Sequence, residues 1–271
     1  MSDEPLVAVF VDYENLALGV RDMKQGEALR MELVLKRLLE KGRLVYKRAY
    51  CDWSQYRSAV RELHHQGIEM VDIPRSRMSG KNSADIHMVV DALDLCYSKN
   101  HIDYFALVSG DSDFSPLVSK LKENNKWVIG CGVKSSTSDL LISSCDEFIY
   151  YDDLERAARK RRPVKKKVKK ESSGGEAPKE DKDDKEDEGG KREDVVEPLV
   201  EIIRSLGRDY DPLWGSLVKQ TMRRVHPGFN ESYYGYKSFS EMLKNLAEMG
   251  LIELEHDQER GNYKITLKED D

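Results

Sequence analysis

Along the first 150 positions, apolar runs of strand length alternate with stretches whose apolar residues recur every three or four positions. Leu6 to Val11 is a short run rich in β-branched residues that ends at Asp12, the pattern of a buried strand. Met31, Val34, Leu35, Leu38 and Leu39 then follow helical spacing up to Gly42. The alternation repeats: a strand at Leu44 to Tyr50, a helix with Tyr56, Ala59, Val60 and Leu63 on one face, and a strand at Ile68 to Ile73. A helix carrying Ile86, Val89, Val90, Leu93 and Tyr97 on its inner face leads to a strand at Ile102 to Val108. Phe114, Leu117, Val118 and Leu121 mark the next helix, and strands are expected at Trp127 to Val133 and Phe148 to Tyr151. Such alternation predicts an α/β domain with a mainly parallel sheet covered on both faces.

The pattern then stops. Arg156 to Lys170 holds ten basic residues in fifteen, and Glu176 to Glu188 is mostly acidic. Blocks of this kind cannot bury a core, so residues 156–193 are expected to form a charged flexible linker between domains at 1–155 and 194–271. The basic run suits either a solvated tail or a phosphate-binding arm. Helical spacing resumes at Leu199, Ile202, Ile203 and Leu206, again at Trp214, Leu217, Val218, Met222 and Val225, and a third time at Phe239, Met242, Leu243 and Leu246. The segment "LIELEHDQERGNYKITL" alternates on both sides of a polar turn, as a two-stranded wing does. Three helices and a hairpin predict a small winged helix-turn-helix domain.

Composition narrows the setting. At 39% hydrophobic and 35% charged, with no run near the roughly 18 apolar residues of a membrane span, the chain is expected to be soluble and cytoplasmic, with no membrane partner. Cys51, Cys96, Cys131 and Cys145 are scattered without zinc-ligand spacing and read as reduced, mostly buried thiols. The net charge of -6 conceals the segregation along the chain, and so does not argue against nucleic acid.

Ligands of open parallel sheets bind beyond the carboxyl ends of the strands. Asp12 stands there after the first strand, and Asp111 and Asp113, in "SGDSDF", after the fourth; Asp85 opens a helix one residue before its apolar stripe. Singly, each is an ordinary turn or cap residue. Four carboxylates near one point would repel unless a cation stands among them, and oxygen-only ligation favours Mg²⁺ or Mn²⁺ over zinc. Such an ion activates water and stabilises phosphoryl charge, the chemistry of phosphodiester hydrolysis. "SGKNS" does not complete a nucleotide P-loop, since Arg75 stands at the first glycine position and Asn82 at the Ser/Thr position.

"VFVDYENL", "GKNSADIHMVVDAL" and "ALVSGDSDFSPLV" resemble, in this order, the motifs of NYN domains, a branch of the PIN-like metal-dependent ribonucleases, over about residues 5–150. The resemblance implies that Asp12, Asp85, Asp111 and Asp113 are the acidic ligands, with Asn15 beside them in the catalytic set. Asp91 falls at another frequently acidic position, on a different helix face, and is a supporting candidate. "YDPLWGSLVKQTMRRVHPGFNESYYGYKSFSEMLKNL" resembles the OST-HTH, or LOTUS, domain over about residues 194–268, which implies RNA binding or protein docking. Arg75, Arg77 and Lys81 of the loop before Asp85, and Lys219, Arg223, Arg224, Lys237 and Lys244, are candidates for RNA phosphate, and Tyr233, Tyr234 and Tyr236 for base stacking.

The expectation is a Mg²⁺- or Mn²⁺-dependent ribonuclease acting on single-stranded or structured RNA, with substrate delivered by the second domain. A homodimer and a protein partner for the second domain are further expectations. The competing reading is a non-catalytic RNA-binding adaptor, and a DNA-binding regulator ranks third because it leaves the acidic edge without a role.

Overall fold

The computed structural model describes residues 4–23, 28–74, 83–161, 192–258 and 260–267. Arg75, Arg77 and Lys81, three of the expected phosphate ligands, lie outside the described residues, as does 162–191 of the charged segment.

Six strands form a wholly parallel sheet: β1 (Leu6–Asp12), β2 (Arg43–Cys51), β3 (Glu69–Asp72), β4 (Tyr104–Val108), β5 (Trp127–Gly132) and β6 (Glu147–Tyr150). Their spatial order is β3-β2-β1-β4-β5-β6. The chain builds outward from β1 in one direction through β2 and β3, then returns to start again at β4. The reversal leaves a crevice between β1 and β4 at their carboxyl ends, where open sheets of this kind take their ligands.

Helices cover both faces. One carries α1 (Tyr13–Asp22), α2 (Met31–Leu39), α3 (Arg57–His65) and α7 (Tyr151–Arg161), packed through Leu16, Val20, Val34, Leu38, Leu63 and Tyr151. The other carries α4 (Ser83–Ser98), α5 (Ser115–Glu123) and α6 (Asp139–Ser144), packed through Met88, Ala92, Leu117, Val118 and Leu141 onto Phe10 and Phe105. All four cysteines are buried. No helix of the described residues is long and apolar enough to cross a membrane.

Two elements depart from the sequence reading. Helix α1, absent from the expected elements, follows β1 directly and buries Tyr13, Leu16 and Val20. Helix α4 forms, but rotated from the expected face: Met88, Ala92 and Cys96 point inward, while Ile86, Val90 and Tyr97 are 61%, 58% and 59% exposed. The helix is apolar on most sides, so spacing alone could not select a face, and small Ala92 and Cys96 let it settle closely on the sheet. Helix α7 runs on to Arg161, so residues 156–161, expected in the linker, are helical.

The second domain has α8 (Val196–Leu206), α9 (Gly215–Val225) and α10 (Phe239–Glu248) around one core, with a sheet of β7 (Leu213–Trp214), β8 (Ile252–Asp257) and β9 (Asn262–Leu267). β8 and β9 are the expected antiparallel wing, and β7 adds a short third strand beside β9.

Candidate functional site

Asp12 ends β1 and caps α1, and it is only 8% exposed. Its two oxygens are held from two directions. Oδ1 accepts the Asn15 N–H at 3.2 Å, and Oδ2 accepts the Ser109 hydroxyl at 3.0 Å. Burial pushes the Asp12 carboxyl up from 3.8 to about 6; the two hydrogen bonds oppose the rise, while the nearby charges of Asp85 and Asp111 add to it. The structure thus brings Asp12, Asp85 and Asp111 within electrostatic reach of one another.

The turn after β4 is fixed to the turn after β1 by cross-links between the two. Asn15 Oδ1 accepts the Gly110 N–H at 2.9 Å, so this amide ties α1 to the "SGDSDF" turn. Ser109, fully buried, passes the contact along: its Oγ accepts the Asp111 N–H at 3.2 Å while its hydroxyl serves Asp12. A phosphate could not reach it. Gly110 has no room for a side chain, since a Cβ there would stand 2.7 Å from the Ser136 carbonyl oxygen and 2.9 Å from Thr137 Oγ1.

The two acids of this turn are placed differently. Asp111 is the cap: its Oδ1 accepts the Asp113 N–H at 3.0 Å at the start of a short 3₁₀ turn, Ser112–Phe114. Asp113 is exposed and does not cap α5, whose start at Ser115 carries no side-chain cap. Asp85 is half-buried in the first turn of α4.

Asp91 has another occupation. Its Oδ2 accepts from Arg48 Nη1 at 2.6 Å and from the Tyr50 hydroxyl at 2.7 Å, and Arg48 also holds Glu69 at 2.9 Å. Tyr50 stands beside Asp12 in the β1–β2 register, so Asp91 pins α4 to the strand next to the site. Arg48, the other half of this link, was not singled out from sequence; its place on β2, where alternation exposes one side chain in two, was the available signal.

Among the described residues, no three Asp, Glu, His or Cys side chains stand closely enough together to hold a metal ion. The donor chemistry nonetheless fits a hard divalent cation: every candidate ligand is a carboxylate, and one of them is buried under the negative potential of its neighbours. Mg²⁺ in particular keeps several waters and takes one or two carboxylates directly, so an open set of acids suits it better than a closed cage would.

In the second domain, the expected phosphate ligands are partly engaged. Lys219 Nζ lies 2.7 Å from Glu231 Oε1, and Arg223 Nη2 lies 3.9 Å from Oε2. Burial pushes the Glu231 carboxyl up, but the hydrogen bond and charge of Lys219 and the charge of Arg223 outweigh it and leave the group below its ordinary value. Glu231 was missed in the sequence because its partners lie on the preceding helix, out of local reach. Arg224, Lys237 and Lys244 are exposed. Of the three tyrosines offered for base stacking, Tyr236 is buried and donates to Asn245 Oδ1 at 2.7 Å, and Tyr233 has Lys134 Nζ 3.2 Å above its ring. Tyr234 is half-buried and packs edge-on against Tyr233.

Comparison with known proteins agrees with this architecture. A 146-residue stretch is 27% identical to "Uncharacterized protein MJ0482" of Methanocaldococcus jannaschii, covering 54% of this chain and 55% of the relative. The chain therefore spans about half the length of the curated relative it matches. The crystal structure of a protein of unknown function, VPA0982 from Vibrio parahaemolyticus, shares 27% identity and superposes with a TM-score of 0.50 over 57% of this chain and 97% of that one. The OST-HTH/LOTUS family model matches residues 192–263, and the NYN family model matches residues 6–154. The chain belongs to the NYN domain family, with a nuclease-like fold, and carries an OST-HTH/LOTUS domain after it.

Proposed function

We propose that this protein is a Mg²⁺- or Mn²⁺-dependent ribonuclease, with Asp12, Asp85, Asp111 and Asp113 as the metal-binding carboxylates and the OST-HTH domain as the module that delivers RNA. The observation that carries the reading is the buried Asp12 carboxylate at the β1–β4 crevice, disfavoured first by its burial and further by the charges of Asp85 and Asp111. A divalent ion bound there supplies water activation and neutralises charge developing on the phosphoryl oxygens. The protein's own groups set the geometry. Asn15 and Ser109 fix the orientation of Asp12, and the Asn15–Gly110 bond keeps the turn that bears Asp111 against it. Asp111, steadied by its own capping bond, and Asp85, on the first turn of a helix pinned by Asp91, complete the acidic face. Lys237, Arg224 and Lys244 offer exposed positive charge to the RNA backbone.

A second reading, an RNA-binding adaptor without catalysis, draws on the absence of a ready-made three-ligand group among the described residues. Cleavage of labelled single-stranded RNA in Mn²⁺ separates the two. Wild type should cleave, and Asp12→Asn and Asp111→Asn should not; equal rates for the three proteins would overturn the proposal. Undiminished RNA binding in EDTA with no shortening of the RNA would favour the adaptor.

A further inference from the structure

Among the described residues, one short segment of the second domain makes several specific contacts with the first. Between α9 and α10, Phe229 and Tyr236 turn into the second domain's own core, while residues between and before them turn to the first domain. The Pro227 carbonyl accepts the Phe148 N–H at 2.9 Å. β6 is the last strand of the sheet, and this bond covers an outward N–H that an edge strand otherwise leaves to solvent. Asn230 Nδ2 donates to Asp153 Oδ2 at 2.7 Å, at the start of α7. Lys134, which follows β5, places its ammonium 3.2 Å above the Tyr233 ring, and the Arg156 guanidinium lies 5.7 Å from the same ring. Gly228 lies directly on Tyr150: a Cβ there would be 2.6 Å from the hydroxyl oxygen and 2.9 Å from the ring.

Backbone pairing, a side-chain hydrogen bond, cation–π contact and a glycine-sized gap converge on one patch, and each fixes a different degree of freedom. We infer that residues 227–234 are a docking segment that seats the OST-HTH domain on the β5–β6–α7 rim of the NYN domain within the same chain, so that the two work in one fixed arrangement rather than on a tether alone. The interface need not be strong. Covalent connection gives an effective concentration on the order of mM, so an intrinsic dissociation constant of about 0.1 mM keeps about nine molecules in ten docked. The location has a consequence. β6 lies two strands beyond β4, about 10 Å at roughly 4.8 Å per strand, so the seat flanks the carboxyl edge that bears Asp111. On the ribonuclease reading, RNA gripped by the second domain reaches the acids at a set offset; the docking itself does not depend on that reading.

The test uses the full chain with spin labels on Asp94→Cys in α4 and Glu248→Cys in α10, both exposed, while the native cysteines are buried. Electron–electron distance measurement should give one narrow distribution. Gly228→Val should broaden it: the three atoms nearest the added Cβ all belong to Tyr150 of the first domain, so the side chain is driven against the docking partner. A broad wild-type distribution, or a narrow one in Gly228→Val, overturns the inference. Should circular dichroism show that Gly228→Val has lost helix, Lys134→Glu, which sits on the first domain and reverses the charge on the Tyr233 ring, decides instead: broadening supports the docking and a narrow distribution overturns it.

Discussion

The Ser109 hydroxyl donates to Asp12 Oδ2 across 97 positions of sequence, joining the ends of β1 and β4 at the point where the sheet reverses its order. The same oxygen accepts from Asp111, so one buried side chain serves both acids. Ser109→Ala removes a hydrogen bond to a charged group and should lower the stability of the first domain by about 1.5–3 kcal/mol, read as a shift in urea midpoint. Thr at this position keeps the hydroxyl but adds a methyl in a fully buried space, and should recover only part of the loss.

Asp12 ought to cost the protein stability at neutral pH. Its folded pKa, raised from 3.8 to about 6, lies above the unfolded value, so its favourable contribution is full below pH 3.8 and is lost as pH rises through about 6. In metal-free buffer, Asp12→Asn should therefore be more stable than wild type at pH 7, with an upper limit of about 3 kcal/mol at roughly 1.4 kcal/mol per pH unit. The advantage should vanish by about pH 4. Thermal melts across pH 4–8 measure it.

If the proposed divalent cation binds, it should reverse that balance. Mn²⁺ at about 100 times its dissociation constant should stabilise the wild type by about 2.7 kcal/mol and leave Asp12→Asn nearly unmoved. A melting temperature equally insensitive to Mn²⁺ in both proteins would count against a metal site independently of any cleavage assay.

Asp91 offers a control at short range. Asp91→Ala leaves Arg48 and Tyr50 without their shared acceptor and should destabilise the first domain by about 1–3 kcal/mol. Because Asp91 positions α4, and with it Asp85, without facing the acids itself, the variant should keep a Mn²⁺-dependent rise in melting temperature, smaller than that of wild type.

Glu231 holds Lys219 and Arg223, two of the cations proposed to meet RNA phosphate. Glu231→Gln should release Lys219 and Arg223, tighten binding to single-stranded RNA at low salt, and steepen the dependence of log affinity on log salt by up to about 0.7 per released cation. The carboxyl's folded pKa is below its ordinary 4.5, so its contribution to stability is present above that value and lost as pH falls through the lower one. Acid melts should therefore separate wild type from Glu231→Gln above about pH 4.5 and bring them together below it.

The legible parts of this molecule were those with strong local signals. Strands β1, β4 and β5 are short, largely apolar runs, and the 3₁₀ turn and α5 bury Phe114, Leu117, Val118 and Leu121 as their spacing predicts. The acidic residues could be found from strand ends and motif likeness. What the spacing could not supply was rotation and partnership. The inward face of α4 depends on which of several apolar stripes includes residues small enough to approach the sheet. The pairing of Asp91 with Arg48 and of Glu231 with Lys219 depends on elements brought together only by the tertiary fold. Asn15 shows the limit clearly: its position was legible, while its bond to Gly110, 95 residues on, was not.

That separation also bears on synthesis. Asp12 and Asp85 are made before Ser109, Gly110 and Asp111, yet one of the two hydrogen bonds that orient Asp12, and the Asn15–Gly110 bond that joins the two turns, run through the later residues. A nascent chain that has not yet paired β4 with β1 carries its first two carboxylates unassembled. The acidic centre is assembled only when the fourth strand closes against the first.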